Sequence, residues 1–468
     1  MAAIIDFLNT IFWGYILIYG LLAVGVYFTL RLGFIQIRRF PEFIRTVLKA
    51  PQSDRGGISP FQALCTSLAS RVGTGNMTGV AVALFLGGPG AIFWMWVVAV
   101  IGMATAYAES TLAQLYKMRD QNGQLRGGPA FYISKGLKAP WAGAVFSLAL
   151  ILAFGLVFNA VQANSIAGAM EGAFGVDKGI TGFVIMALAA IVIFGGIKKI
   201  ARVAEIVVPF MAVLYLLVAL YVIFMNIDEV PAAFALIFKS AFGIEQAAGG
   251  VLGAMLNGIK RGLFSNEAGM GSAPNIAAVA TPNPHHPASQ GMVQSLGVFI
   301  DTILICTATA LMILLSGALG NGQTGIALTQ TALTTHIGSA GQYFVAIAIF
   351  FFAFTSIIGN YSYAENALTY LKWANKPGIF ILRMLALAMI PWGAYESVAM
   401  VFNAADAAMG LMATINLIAI MMLSGTVVKL TKDYFAQLKT HTPVFNSDDY
   451  PEVRDDIDLS VWDEKPQK

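Results

Sequence analysis

The stretch ASRVGTGNMTGVAVA, Ala69 to Ala83, decides how this sequence folds. It lies inside an apolar run long enough to cross a membrane. Yet its centre, Arg71-Val72-Gly73-Thr74-Gly75-Asn76, holds a cation, two glycines and an amide. Glycine lets a helix unwind cheaply, and a buried cation at membrane depth is costly. Irregular backbone survives there only when it is buried in protein or lines a cavity. The stretch therefore predicts a helix broken in mid-membrane, with its freed amides and carbonyls facing something.

A second stretch has the same character. NGIKRGLFSNEAGMGSAPN, Asn257 to Asn275, is apolar overall but carries glycines, a proline, Lys260, Arg261 and Glu267. At such a break the start of the following half-helix attracts anions, and the carbonyls of the preceding half attract cations. An amino-acid zwitterion with a metal ion needs both. Close helix packing is the other reading of such glycines, and Gly250 and Gly253 in GVLGAM suit it.

The whole chain supports a membrane reading. Of its 468 residues 57% are hydrophobic and only 11% are charged, against about 25% charged in soluble proteins. The mean hydropathy is +0.73. A span needs about 20 apolar residues. Eleven are predicted, at 11–32, 60–86, 90–116, 140–170, 179–197, 203–226, 246–280, 289–318, 341–370, 378–395 and 397–428. The first reads as a span because it is too long for a signal peptide and no basic region precedes it. Nineteen of the 28 basic residues then fall in loops on one side, and two, Lys178 and Lys239, fall on the other. The positive-inside rule places the N-terminus outside and the C-terminus in the cytoplasm.

The two broken spans, second and seventh, are five spans apart and cross in opposite directions. Spans two to six and seven to eleven then form two five-span units of inverted topology, the repeat logic of many secondary transporters. The expected segments are an extra helix with its loop (1–58), a first repeat (59–226), a second repeat (227–430) and a tail (431–468). From His441 on, eight acids face three bases, so the tail is expected to be solvated and disordered.

Hard oxygen ligands for sodium are expected in FFAFTSIIGNYSYAE, where Thr355 and Ser356 are adjacent hydroxyls and Asn360 follows one turn on. A Ser or Thr hydroxyl in a membrane helix more ordinarily bonds its own backbone. Glu109, Asp301, Glu267, Glu365, Arg383 and Asp406 are the ionisable residues within or near spans, and so are functional candidates. Glu267 is expected either to gate or to pair with Arg261 or Arg71. His285 and His286 read as solvated loop residues. Cys65 and Cys306 read as small buried residues rather than a disulfide. No phosphate-binding loop, metal cluster or nucleophile with a partnered base is apparent, so neither an ATP-driven pump nor an enzyme is expected.

Several motifs resemble the alanine or glycine:cation symporter family. They are GGPGAIFWMWVVAVIG (Gly87–Gly102), RGGPAFYI (Arg126–Ile133), FNAVQANSIA (Phe158–Ala167), RGLFSNEAGMGSAP (Arg261–Pro274) and PWGAYES (Pro391–Ser397). The resemblance runs from the first span to the eleventh. It implies a leucine-transporter-like fold, all-α, with one extra helix before a ten-helix core of two inverted repeats. It implies sodium-coupled import of a small neutral amino acid into a bacterial cell across its plasma membrane, with proton coupling as the alternative.

Residue by residue, the resemblance implies a substrate carboxylate on the amides of Gly73, Thr74 and Gly75, assisted by Gln162. Asn76 would lie beside the substrate or an ion. The carbonyls of Ala69 and Val72 would join the Thr355 and Ser356 hydroxyls around sodium. The unwound part of the seventh span, near Phe264, Ser265 and Asn266, would face the substrate amine. Many members carry tryptophan where this chain has Asn360, so a larger or more polar pocket is expected, with serine or glutamine as further substrates. Arg71, Arg261 and Glu267 are the gating or ion-pair candidates.

Overall fold

The computed structural model describes residues 2–48, 57–121, 123–243 and 250–462. Lys49, Arg55 and the expected start of the seventh span at 246 lie outside them. In chain order the main helices are α1 (Ala3–Arg31), α2 (Pro60–Arg71), α3 (Val80–Gly87), α4 (Gly90–Leu115), α5 (Pro140–Phe174), α6 (Lys178–Ile193), α7 (Gly196–Met225) and α8 (Val230–Ala241). They continue as α9 (Gly250–Asn266), α10 (Pro274–Val279), α11 (Pro287–Ser316), α12 (Gly325–Ile337), α13 (Ala340–Tyr370), α14 (Lys376–Tyr395), α15 (Val398–Met422), α16 (Ser424–Gln437) and α17 (Leu459–Trp462). Among the described residues eight helical stretches are long and apolar enough to cross a membrane, and three more apolar helices are shorter. The protein is a mostly helical, multi-pass membrane protein.

The second predicted span is two helices. Ser59 starts α2 with a capping box to Gln62, and Pro60 supplies a helix-ready φ at its first turn. The helix ends at Arg71, where Val72 turns extended (φ −75°, ψ 96°). A π-helical turn, Gly75–Gly79, leads into α3. The seventh predicted span is also two helices. Between α9 and α10, Glu267, Gly269 and Gly271 take φ of 58°, 85° and 84°. Left-handed φ is free for glycine and unusual for glutamate. Pro274 then opens α10.

Glycine packing occurs next to the second break rather than at Gly250, where an added Cβ would meet nothing. A Cβ on Gly258 would lie 2.4 Å from the Ala91 carbonyl, and one on Gly262 2.4 Å from Val98. These contacts seat α9 on α4. The exposed side chains of α7, among them Ile206, Phe210, Leu217, Leu220 and Phe224, form an apolar outer face suited to lipid.

Three expectations are corrected. The chain is not purely helical, since Met118–Arg119 (β1) pairs antiparallel with Leu125–Arg126 (β2). Helices α8 and α12 fall in connections read as loops. The tail is folded through Trp462: Phe445, Tyr450, Val453, Ile457, Val461 and Trp462 are buried. Acid count dominated the sequence reading, but these six apolar side chains supply a burial face. The acids between them meet basic side chains, as Asp456 does Lys138 before α5 and Glu452 does Lys429 on α16.

Candidate functional site

At the first break the backbone gives up its helical bonds to side chains. In an unbroken helix the Gly73 and Thr74 amides would bond the carbonyls of Ala69 and Ser70. Instead the Gly73 N–H donates to Asn76 Oδ1 (2.9 Å) and the Thr74 N–H to Gln162 Oε1 (3.0 Å). The second break repeats the pattern. The Ala268 N–H donates to Asn266 Oδ1 (3.0 Å) and the Gly269 N–H to Glu109 Oε1 (3.1 Å). The carbonyls of Phe264 and Ser265 thereby lose the amides that would have closed on them. Phe264–Asn266 are thus the last turn of α9, not the unwound segment expected; the unwound residues begin at Glu267.

The two breaks touch. A Cβ on Gly75 would lie 3.0 Å from Ser265 Cα and 3.2 Å from the Phe264 ring. Asn76 Nδ2 donates to Asp301 Oδ1 (2.7 Å) and lies 3.2 Å from Ser265 Oγ, which itself donates to Asp301 Oδ2 (2.7 Å). Phe264 stacks on Phe158 of α5 with centroids 4.8 Å apart. Thr74 Oγ1 at the first break and Asn266 Nδ2 at the second are buried with no protein partner among the described residues.

Helix α13 closes the other side. Gly73 leaves no room for a side chain, because its Cβ would fall 2.3 Å from Ser356 Oγ and 2.8 Å from Gln162 Oε1. The Thr355 and Ser356 hydroxyls are fully buried and both donate to the Phe352 carbonyl (2.9 and 3.1 Å). Their lone pairs remain for a cation, together with carbonyls such as that of Ala69, which has lost its amide, and that of Val72, which is extended. This all-oxygen set suits a hard cation. Asn360 is fully buried; its Oδ1 accepts from Ser70 Oγ (2.6 Å), and its Nδ2 donates to Asn159 Oδ1 (3.2 Å).

Of the two readings of Glu267, gating or pairing, the ion pair with Arg71 or Arg261 is not formed. Glu267 accepts from the Ser272 hydroxyl (2.5 Å) and lies 2.9 Å from Ser70 Oγ, and neither Arg71 nor Arg261 reaches it within ion-pair distance. Arg261 instead pairs with Asp406 of α15, and Lys260 joins them at 3.6 Å. The Arg261 guanidinium also lies over the rings of Phe402 and Phe264. Arg71 ends α2 at the first break and Arg261 lies within two helical turns of the second, so the sequence alone could not rank their partners. Arg71 is buried, donates to the Gln294 carbonyl (3.1 Å), and has no partner for Nε or Nη2 among the described residues.

Sequence reading missed several members. Glu109 was noted only as a buried acid; it braces the unwound loop by accepting from Gly269 N–H and from Asn416 Nδ2 (2.7 Å), while Tyr132 donates to Asn416 Oδ1. Ser70, Asn159 and Ser272 were not flagged, since lone small polar residues carry no spacing signal. Cys65 and Cys306 are buried and free, and Cys306 Sγ lies 3.3 Å from Asn76 Nδ2. His285 and His286 are not solvated: His286 is fully buried against Asp433 (3.3 Å), and the His285 ring packs on Trp462.

Comparison with known proteins gives a consistent result. Residues 1–447 match the sodium:alanine symporter family. The probable sodium/glutamine symporter GlnT of Bacillus subtilis is 50% identical over 449 residues, covering 95% of this chain and 93% of that protein. The sodium/alanine symporter AgcS of Methanococcus maripaludis is 42% identical, covering 92% and 97%. Among solved structures, that of MhsT in complex with L-phenylalanine has a TM-score of 0.56 at 17% identity, covering 86% and 92%. That likeness shows a fold of the leucine-transporter type.

Proposed function

The chain belongs to the sodium:alanine symporter family, and from that premise we propose that it brings a small neutral amino acid into the cell with sodium by alternating access. The family is one of transporters, not enzymes. Alanine or glycine is the first choice of substrate. Serine or glutamine comes next, because the resemblance implies tryptophan in many members where this chain has the smaller, polar Asn360. Eleven spans with the N-terminus outside, in a bacterial plasma membrane, agree with the basic loops. Spans two to six and seven to eleven are the two inverted repeats.

The observation that carries the proposal is the matched pair of breaks, each with released backbone carbonyls and a buried polar atom lacking a protein partner. Buried unpartnered polar atoms cost about 1–3 kcal/mol each, so a carboxylate that accepts from the Thr74 hydroxyl gains that much back. The substrate carboxylate takes the amides at Gly73–Gly75, with Gln162 releasing Thr74 and the Thr74 hydroxyl donating. The substrate ammonium takes the carbonyls of Phe264 and Ser265. Sodium sits between the end of α2 and Thr355 and Ser356, and its charge steadies the unwound backbone on which the substrate docks. Rocking of one repeat against the other then exposes the site inward.

A second reading, proton coupling, rests on one observation: Glu267 is buried at the second break with hydroxyl donors and, among the described residues, no cation within ion-pair distance. Competition of a panel of unlabelled amino acids against radiolabelled alanine uptake, with and without sodium, separates these readings. Inhibition by small neutral amino acids in sodium alone supports the proposal. No competition by any of them sinks it, and sodium-free uptake driven by a pH gradient favours the proton reading.

A further inference from the structure

The inner ends of the two broken spans are joined to each other. The Ile58 N–H donates to the Val279 carbonyl (3.2 Å), and the Thr281 N–H donates to the Ile58 carbonyl (3.0 Å), a parallel bridge between the lead-in to α2 and the end of α10. On the carrier reading above this is the cytoplasmic side, and the bridge must part for substrate to leave inward. The carbonyls at the end of α10 are held a second time, from α4 and the residues after it. Gln114 donates to the carbonyls of Ala277 and Ala280, and Lys117 Nζ donates to the Ala280 carbonyl (3.1 Å) and Gln114 Oε1 (2.7 Å).

Lys117 is an unusual clamp. It is 1% exposed, and no carboxylate lies within ion-pair distance of it among the described residues. Lysine is a strongly hydrated point charge, so water competes for it wherever water can enter. What keeps water out is the tail. The Trp462 ring lies over the ammonium, 4.9 Å from its centroid, and its indole N–H donates to the Leu115 carbonyl (3.2 Å). Trp462 packs in turn on His285 and Phe445. Asp458 accepts from the Arg119 N–H (3.0 Å), Phe445 N–H donates to the His285 carbonyl (2.9 Å), and Asp456 meets Lys138. The tail thus ties together the segments that follow α4 and α10 and precede α5.

We infer that Trp462 and Lys117 are positioning residues for the inner gate, the tail being a latch that holds the end of α10 against Ile58 until the ring leaves the ammonium. Neither residue touches the transported species. Cation–π attraction and exclusion of water act together on Lys117, and losing the ring exposes the ammonium to solvent and loosens its hold on Ala280.

The test uses the full chain in inside-out vesicles with Ser362→Cys as reporter. Ser362 lines a small cavity with Arg126, Asn275, Val279 and Glu365, beside the bridge. The chain without the added cysteine corrects for Cys65 and Cys306. Labelling by a membrane-impermeant thiol reagent is expected to quicken several-fold in Trp462→Ala and to stay near the parent rate in Trp462→Phe, which keeps a ring over Lys117. Lys117→Met, which keeps the bulk and removes the clamp, is expected to match Trp462→Ala. Because methionine is well tolerated in buried positions, that variant carries the test even where Trp462→Ala fails to fold. Parent-rate labelling in Lys117→Met overturns the inference, as does Trp462→Phe labelling as fast as Trp462→Ala. If instead sodium and alanine shift the labelling rate in no variant, parent included, the carrier reading fails and not the latch.

Discussion

Gly73→Ala is the sharpest probe of the site. The residue does not need glycine for its backbone, since Gly73 is not among the residues with positive φ. The need is for space: the new methyl would sit 2.3 Å from Ser356 Oγ, 2.8 Å from Gln162 Oε1 and 3.3 Å from Ser356 Cβ. Rotating the Ser356 hydroxyl relieves only the first contact and gives up its bond to the Phe352 carbonyl. Moving Gln162 frees the Thr74 amide. Overpacking of this kind costs about 1–3 kcal/mol, and about 1.4 kcal/mol is a factor of ten in affinity. Sodium and substrate binding are therefore expected to weaken between several-fold and about a hundredfold, measured as the concentrations for half-maximal uptake in proteoliposomes, with thermal unfolding as the control for folding. Ser356→Ala added to Gly73→Ala is expected to recover part of the lost stability, by more than additivity allows, without recovering sodium dependence. Gly73→Ala with parent-like sodium and substrate dependence refutes the account of this break.

Three further outcomes are expected. Asp406→Asn strands Arg261 and Lys260 beside a neutral group, and losing one partner of a buried ion pair costs about 3–5 kcal/mol, read as a large drop in the thermal midpoint in detergent. Glu109→Ala leaves the Gly269 N–H and the Asn416 amide without their acceptor, at about 1–3 kcal/mol for each stranded donor, while Glu109→Gln keeps an acceptor oxygen; uptake and unfolding should fall further in the alanine variant. Tail docking should depend on pH. Burial holds His286 below its ordinary 6.5 despite the opposing Asp433, so the docked state disfavours protonation of this ring. Docking is then full above 6.5 and is lost as pH falls through the lowered value of His286, visible as faster proteolysis of the tail in mild acid that His286→Asn abolishes.

Much of the frame was legible because membranes impose simple rules. Long apolar runs had to be helices, and Gly73, Gly75 and Asn76 inside one of them had no purpose in lipid. Both breaks therefore stood out, whereas Thr355 and Ser356 each bond the Phe352 carbonyl of their own helix, the ordinary arrangement for such hydroxyls. Partner choice did not. Glu267 has arginines on either side in sequence or space, and only the three-dimensional packing sends Arg261 to Asp406 and leaves Glu267 with Ser70 and Ser272. The extent of α9 was misjudged for a related reason: Phe264–Asn266 stay helical because their own amides still find partners, and only their carbonyls are released. The tail was misread because charge count hid six apolar anchors spread over 18 residues, a pattern with no single period. The role of Trp462 needs the ring, the ammonium and the α10 carbonyls in one place, which no linear spacing announces.

The central claim is that sodium binding between the end of α2 and α13 drives amino-acid uptake. Accumulation of radiolabelled alanine in proteoliposomes under an inward sodium gradient, comparing the parent with the Thr355→Ala, Ser356→Ala double variant, tests it most directly. The account predicts uptake above equilibrium in the parent and none in the double variant, which still inserts and unfolds cooperatively. Uptake of equal size and equal sodium dependence in both would contradict it.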